Sequence, residues 1–307
     1  MLKAVYIIKK AEIPHSGAVT AEMNRAVTSL REAGLISGIL TADSAGEAAA
    51  AAEEASARAG LSGTLFVCEC GSILRDLLEQ GLFVIGYSHK DNEGECFSGA
   101  PYIVQEPDMV DSDSYVKMYE RAAGLPWTIL ETERCIVREF TAEDLDGIYA
   151  LYDRQACRFL EPPSDDRGRE EYILRAYIDR IYGLYGFGHW AVLLKDEPGT
   201  LIGRIGYSAI TSRQEQEARA LGIPGFDADF GFLIGAEWRR QGIAEEVCRA
   251  LLQFGLSELG FRCIRADARN DNAASFRLLE KLGFVPAGSC APEKDGESAG
   301  KTLFIYK

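Results

Sequence analysis

Three groups of residues in the chain have types and spacings suited to chemistry. The first is Arg239-Arg240-Gln241-Gly242-Ile243-Ala244, between an apolar run that ends at Ile234 and a helix-forming stretch from about Ala244 to Leu259. Glycine at 242 and a small residue at 244 let backbone amides come close to a ligand. A helix N-terminus adds unpaired N–H groups and positive partial charge, so a phosphate or pyrophosphate fits there. No Gly-Lys-Ser/Thr follows, so this is not a P-loop, and it is not the Gly-x-Gly-x-x-Gly dinucleotide pattern. The second group is Asn272-Ala273-Ala274-Ser275. There a hydroxyl either serves as a proton donor or simply caps the helix that runs to Leu282. The third comprises Asp229 and Glu237, at either end of the run before the loop. Strand alternation puts Asp227, Asp229 and Gly231 on one face, opposite Phe230 and Phe232. Asp229 suits a base acting through water or a solvated strand-end acid, and Glu237 beside Trp238 is a lesser base candidate that also suits dipole compensation.

The elements that must position these groups form a meander followed by an alternating run. Arg134–Arg138 reads as a strand, and Thr141 with Asp144 opens a helix. A second helix covers about Arg169 to Leu184. Trp190–Leu194 and Thr200–Tyr207 read as a hairpin across Asp196 to Gly199, and Thr211 to Phe226 as a long polar loop that either closes over a ligand or forms a mobile tip. The strand Asp229–Ile234, a helix, the strand Cys263–Ala268, the helix Ala273–Leu282 and the strand Leu303–Tyr306 complete a mixed sheet. Phe159, Tyr172, Tyr177, Tyr182, Tyr185 and Phe187, followed by His189 and Trp190, supply either core or a cation–π wall.

The order strand, Arg-x-x-Gly-x-Ala, helix, strand, Asn272-Ala273-Ala274-Ser275 and Leu279-Glu280-Lys281-Leu282-Gly283-Phe284 resembles the GNAT N-acetyltransferase superfamily. Within it the likeness is greatest to the branch that includes the ribosomal-protein alanine acetyltransferases. The opening Arg134-Cys135-Ile136-Val137-Arg138-Glu139-Phe140-Thr141-Ala142-Glu143-Asp144 and the Gly203/Gly206 strand share in it, so it spans about residues 133–307. The resemblance implies acetyl-CoA as cosubstrate, no metal, and transfer of an acetyl group to a primary amine on a small molecule or a protein N-terminus. By position it assigns Arg239, Arg240 and the amides of Gln241, Gly242, Ile243 and Ala244 to the diphosphate. It assigns Phe232, Leu233 and Ile234 to pantetheine pairing, Asn272 to the pantetheine arm, and Ser275 to the neighbourhood of the thiol. Ser275 and Asp229 become the acid and base candidates. Many relatives carry a tyrosine as general acid where this chain has Leu279, and that departure keeps a non-catalytic, acyl-CoA-binding regulatory module as the alternative.

The first half alternates strands and helices. Strands at Lys3–Ile8, Leu35–Leu40, Thr64–Val67, Phe83–Ile85 and Tyr102–Val104 enclose helices at Ala18–Ala33, Ala45–Ala59, Ile73–Gln80 and Ser112–Ala123. That pattern predicts a parallel sheet covered on both faces, a three-layer Rossmann-like domain. Thr64 to Ser72 and Leu82 to Tyr87 resemble the haloacid dehalogenase-like hydrolases. The nucleophile position holds Lys9-Lys10, however, and the acidic pair is Glu69-Cys70, so the resemblance implies a degenerate domain with its phosphatase activity lost. Active phosphatase is the third reading. The break at Gly124-Leu125-Pro126-Trp127 separates domains at 1–126 and 133–307, with Trp127 expected either between them or in one core.

The chain's 307 residues are 47% hydrophobic and 26% charged, which excludes disorder and leaves room for two cores. The net charge of −14 argues against nucleic acid and anionic membrane as partners and leans toward a cationic acceptor. A homodimer is open to it. The start of the chain is not a signal peptide and no apolar run spans a bilayer, so the expectation is a cytoplasmic protein. Eight cysteines are scattered, with Cys68, Cys135, Cys157, Cys248 and Cys263 in apolar segments, and the expectation is reduced, buried thiols. With three histidines, none spaced as ligands, no metal cluster is expected.

Overall fold

β-branched and aromatic runs in the first half form strands, and alanine- and leucine-rich stretches between them form helices. In order these are β1 (Ala4–Lys9), α1 (Gly17–Glu32), β2 (Ile36–Thr41), α2 (Ala45–Ala55), β3 (Thr64–Cys68), α3 (Gly71–Glu79), β4 (Phe83–Tyr87), β5 (Ile103–Val104) and α4 (Ser112–Ala122). The computed structural model describes residues 1–55, 61–197, 199–290 and 300–307. The part of the second helix expected at 56–59 and Pro198 in the expected 196–199 turn therefore lie outside the described residues. Ser16 caps α1 by accepting from the Val19 amide, and Gly34 closes it with φ of 85°. All five strands are parallel, in the order β2-β1-β3-β4-β5. Alternation splits the core in two: Val5, Ile7, Val67 and Ile85 pack with α1 and α4, while Tyr6, Ile8, Phe66 and Cys68 pack with α2 and α3. This is a Rossmann-like layer. Trp127 belongs to it: the indole N–H donates to the Lys117 carbonyl at 2.8 Å, and the ring lies under the Arg121 guanidinium.

In such a sheet the crevice for a ligand lies at the carboxyl ends of the strands where the order reverses, here between β1 and β3. The crevice is filled by protein. Glu69, just past β3 and fully buried, accepts from the Lys10 amide at 2.6 Å, from His15 Nε2 at 2.7 Å and from His89 Nε2 at 3.0 Å. The fold thus brings two of the three histidines and a carboxylate within 4.8 Å of one another, a donor set that sequence spacing did not suggest. The Asp91 amide donates to His89 Nδ1 at 3.2 Å, which puts that ring's proton on Nε2 and commits it to Glu69. The amides that open the flanking helices are answered by the chain's own acids, Ser16 by Asp91 and Gly71 by Glu95. An active phosphatase needs an anion there, so this arrangement disfavours that reading.

The second half contains β6 (Thr128–Glu131), β7 (Cys135–Arg138), α5 (Leu145–Leu151), α6 (Arg167–Tyr185), β8 (His189–Leu194), β9 (Leu201–Ser208), α7 (Ser212–Ala220), β10 (Ala228–Ile234), α8 (Ile243–Ser257), β11 (Ile264–Arg269), α9 (Ala273–Leu282), β12 (Val285–Cys290) and β13 (Lys301–Tyr306). They build one mixed sheet in the order β12-β13-β11-β10-β9-β8-β7-β6, in which only β10 and β11 run parallel. The chain divides into compact units at Met1–Trp127 and Thr128–Lys307. The segment left between the domains in the sequence reading supplies β6, an edge strand of the second sheet. The other edge strand, β12, escaped notice because Pro286 and Gly288 interrupt it where its register shifts.

The polar stretch expected as a loop is instead largely α7. Its capping box was legible: Thr211 accepts from the Gln214 amide, and Gln214 Oε1 accepts from the Thr211 amide. Of the thiols expected to be buried, Cys68, Cys70, Cys135, Cys248 and Cys263 are, but Cys157, in a surface turn after α5, and Cys96 are exposed. Among the described residues no helix is long and apolar enough to cross a membrane.

The buried acid generates a prediction. Glu69→Leu strands two imidazole donors and the Lys10 amide, and should destabilise the N-terminal unit by about 2–5 kcal/mol. The measurement is the urea midpoint, with hydrogen-exchange protection lost first in β1 and β3. An unchanged midpoint would show that the three donors need no common acceptor.

Candidate active site

The sheet opens where β10 and β11 part. They pair only at Ala228↔Ile264 and Asp229↔Arg265, and beyond that point a cavity of about 720 Å³ is lined by both strands, the loop before α8 and the start of α9. Arg265 sits at the vertex with 2% exposure. Its guanidinium reaches Asp229 at 3.1 Å, Asp267 at 3.3 Å and Glu217 of α7 at 3.5 Å. Gln214 Nε2 also donates to Asp229 Oδ2 at 2.9 Å. Asp229, expected as a base, thus lines the cavity with one oxygen committed to holding the vertex. Asp227 lies elsewhere, accepting from the Arg262 and Cys263 amides.

At the loop, Arg240 and Gly242 take left-handed backbone at φ of 62° and 80°. Gly242 is the N-cap of α8 and offers no side chain to its first turn, so those amides have no side-chain cap. A β-carbon at 242 would meet only Arg134 Nη2, at 3.6 Å, which leaves open space over the turn. Arg134 donates to the Gln241 carbonyl at 2.9 Å and pairs with Glu246, tying the loop to β7. Arg239, expected at the diphosphate, turns instead to Asp153 at 2.8 and 3.0 Å and to the Ile234 carbonyl at 2.8 Å. That guanidinium holds the Asp153 carboxyl below the usual carboxylate range. Arg239 is a brace for the loop, whereas Arg240 is exposed beside it. Glu237 lies in a short turn whose carbonyl accepts from Gln241 Nε2 at 2.7 Å.

On α9, Asn272 Oδ1 accepts from the Ser275 amide at 3.2 Å. The cap uses the backbone of Ser275, so its hydroxyl is not part of it, and both residues line the cavity. Leu279, which the resemblance set at the general-acid position, is fully buried in the core. Ser275 is the one hydroxyl on this helix.

His189, expected in the aromatic group, reaches the cavity, and Arg204 is the contributor that the sequence reading did not single out. His189 of β8 pairs with Gly206 of β9, which pairs with Gly231 of β10. A β-carbon at 231 would lie 2.8 Å from the imidazole, so the glycine gives the ring its place on the cavity floor. Nε2 meets the Ser208 hydroxyl at 3.2 Å, while Nδ1 is buried with no hydrogen-bond partner among the described residues. Burial, then the Arg204 charge, pushes its pKa down to about 3, so the ring is neutral at neutral pH. Arg204 lines the same floor. The signal was glycine in two consecutive strands, which only pairing register connects. Of the aromatic wall, Phe159 lines the cavity; Tyr182 and Trp190 are core, Tyr177 and Phe187 pack against that core, and Tyr172 and Tyr185 are exposed.

Residues 134–285 match the family described as the acetyltransferase (GNAT) domain. The chain is 29% identical over 161 residues to the uncharacterized N-acetyltransferase YoaA of Bacillus subtilis (strain 168), covering 52% of this chain and 84% of that one. It is 27% identical over 165 residues to YjdG of the same organism, covering 51% and 89%. Among solved structures, a GNAT-family acetyltransferase from Bacillus anthracis is 18% identical with a TM-score of 0.46, over 58% of this chain and 96% of its own. Residues 134–285, within the unit Thr128–Lys307, carry a GNAT acetyltransferase domain, and with it the chain is an acyltransferase.

Proposed function

We propose that the domain moves an acetyl group from acetyl-CoA directly to a primary amine. The observation that carries this reading is the opening of β10 from β11 beside the uncapped turn of α8. The amides of Gln241, Gly242, Ile243 and Ala244 would hold the diphosphate, with Arg240 adding charge. The β10 edge facing the opening, Phe232 to Ile234, offers backbone groups to the pantetheine, and Asn272 keeps its amide nitrogen for the same arm. The acyl donor supplies an activated thioester carbonyl.

The protein's part is orientation and proton handling. The amine nitrogen bonds to the carbonyl carbon, the C–S bond breaks, the nitrogen loses a proton and the sulfur gains one. Ser275 would donate to sulfur; its hydroxyl is not used by the helix cap, and the residue lines the cavity. Asp229, paired with Arg265 at 3.1 Å and lining the cavity, is suited to gathering the incoming ammonium and ordering the water that takes its proton. His189 is too weakly basic to keep that proton at neutral pH, but it can hydrogen-bond the amine. A non-catalytic acyl-CoA-binding module is the second reading, favoured by the buried Leu279. Binding of acetyl-CoA with no thiol release across an amine panel would establish it.

Gly242→Glu should abolish acetyl-CoA binding in calorimetry, since it forces a side chain onto positive φ and sets a negative charge at the diphosphate position. Retained affinity would remove the loop from the site. Ser275→Ala should lower kcat by about 10- to 100-fold with little change in acetyl-CoA affinity, because the cap it leaves behind is made by backbone. Equal losses in both would mark a binding role. With His189 neutral above about pH 3, kcat/KM from pH 6 to 9 should rise with the pKa of whichever acceptor is used. A limb near pH 6.5 shared by all acceptors would instead identify an imidazole base.

A further inference from the structure

We infer that the acceptor carries a carboxylate close to its amine, and that Arg204 receives it. The inference rests on the acetyl-transfer reading and narrows its substrate to amino carboxylates.

Arg204 lies in β9 opposite Leu233 of β10 and Ala191 of β8. By alternation it shares a sheet face with His189, Gly206, Ser208, Gly231 and Asp229. It is partly buried in the cavity wall. Its one hydrogen bond among the described residues is from Nη1 to the Tyr152 hydroxyl at 3.2 Å. The other buried or partly buried arginines around this sheet all have a carboxylate within 4.0 Å: Arg138 has Asp144, Arg239 has Asp153, Arg265 has Asp229, and Arg269 has Asp271. Arg204 has none among the described residues. In a chain with 47 acidic side chains against 33 basic ones, a partly buried guanidinium with no acid beside it among the described residues is the exception. Partial burial of a charge without a counter-ion is unfavourable, and the electrostatic influence of Arg204 is felt at His189 next to it.

The chemistry that relieves this is a planar, bidentate acceptor, for which the guanidinium fork is shaped. The cavity floor then has two poles. Asp229 is the acid suited to an ammonium, Arg204 is the cation suited to a carboxylate, and the orphan Nδ1 of His189 lies on the same floor. A simple cationic amine, the acceptor that net charge favours, would leave Arg204 unanswered and add a like charge beside it.

The test measures thiol release from acetyl-CoA with matched acceptors: amino acids, their carboxamides, and the corresponding amines without the carboxylate. Peptides with an N-terminal acidic residue form a separate arm that distinguishes a protein terminus from a free amino acid. The wild-type protein should prefer the carboxylate over the carboxamide by about 10- to 100-fold in kcat/KM, mostly through KM. Arg204→Gln should bring the ratio to near one, and Arg204→Lys should keep part of it, with acetyl-CoA affinity and Tm unchanged in both. Equal use of all three acceptor types by the wild type would overturn the inference, as would an equal loss for all three in Arg204→Gln. If acetyl-CoA binds but no acceptor turns over, the acetyl-transfer reading has failed. Calorimetry on the acetyl-CoA complex then reads Arg204 by itself: amino-acid binding lost in Arg204→Gln supports the carboxylate site, and no binding to the wild type overturns it.

Discussion

Everything in the second unit depends on two parallel strands that stay together for two residue pairs and then separate. β10 and β11 would close into an ordinary sheet if their pairing continued past Asp229↔Arg265. What accompanies the parting is a charge: Arg265, almost completely buried, with acids of β10, β11 and α7 around it. A buried guanidinium must keep its partners close, so it gathers those three elements at one point. Beyond that point the strand edges are free to meet a ligand.

The same constraint sorts the residues by role. An acid that looks catalytic from its strand position, Asp229, is first a member of the vertex. An arginine that looks like a phosphate contact, Arg239, braces the loop through Asp153. In the proposed acetyl-CoA site the loop's share then rests on backbone, on the left-handed turn at Gly242 and the uncapped first turn of α8. Arg204, which no motif marks, is the partly buried arginine of this sheet with no carboxylate partner among the described residues.

The N-terminal unit answers a similar problem in the opposite way. Its switch-point crevice is filled by the chain itself, with Glu69 accepting from the Lys10 amide and two imidazoles, and with acids on the helix starts. A parallel sheet of this kind concentrates helix dipoles at one end. Internal carboxylates satisfy them here.

The local grammar was legible in the sequence. Alternating runs marked most strands, glycine and small residues marked the phosphate-type turn, and Asn272 marked the start of α9. Local chemistry also contained what was overlooked: the Thr211/Gln214 capping box that makes α7, and the proline and glycine that disguise β12. Strand order, the parting of β10 from β11, the pairing of Gly206 with Gly231 beneath His189, and the meeting of His15, Glu69 and His89 were settled only by tertiary structure. The physical reason is range. Propensity and capping act over a few neighbouring residues, whereas charge pairing and strand register join residues far apart in the chain. Which acid an arginine finds depends on where the whole fold puts them both.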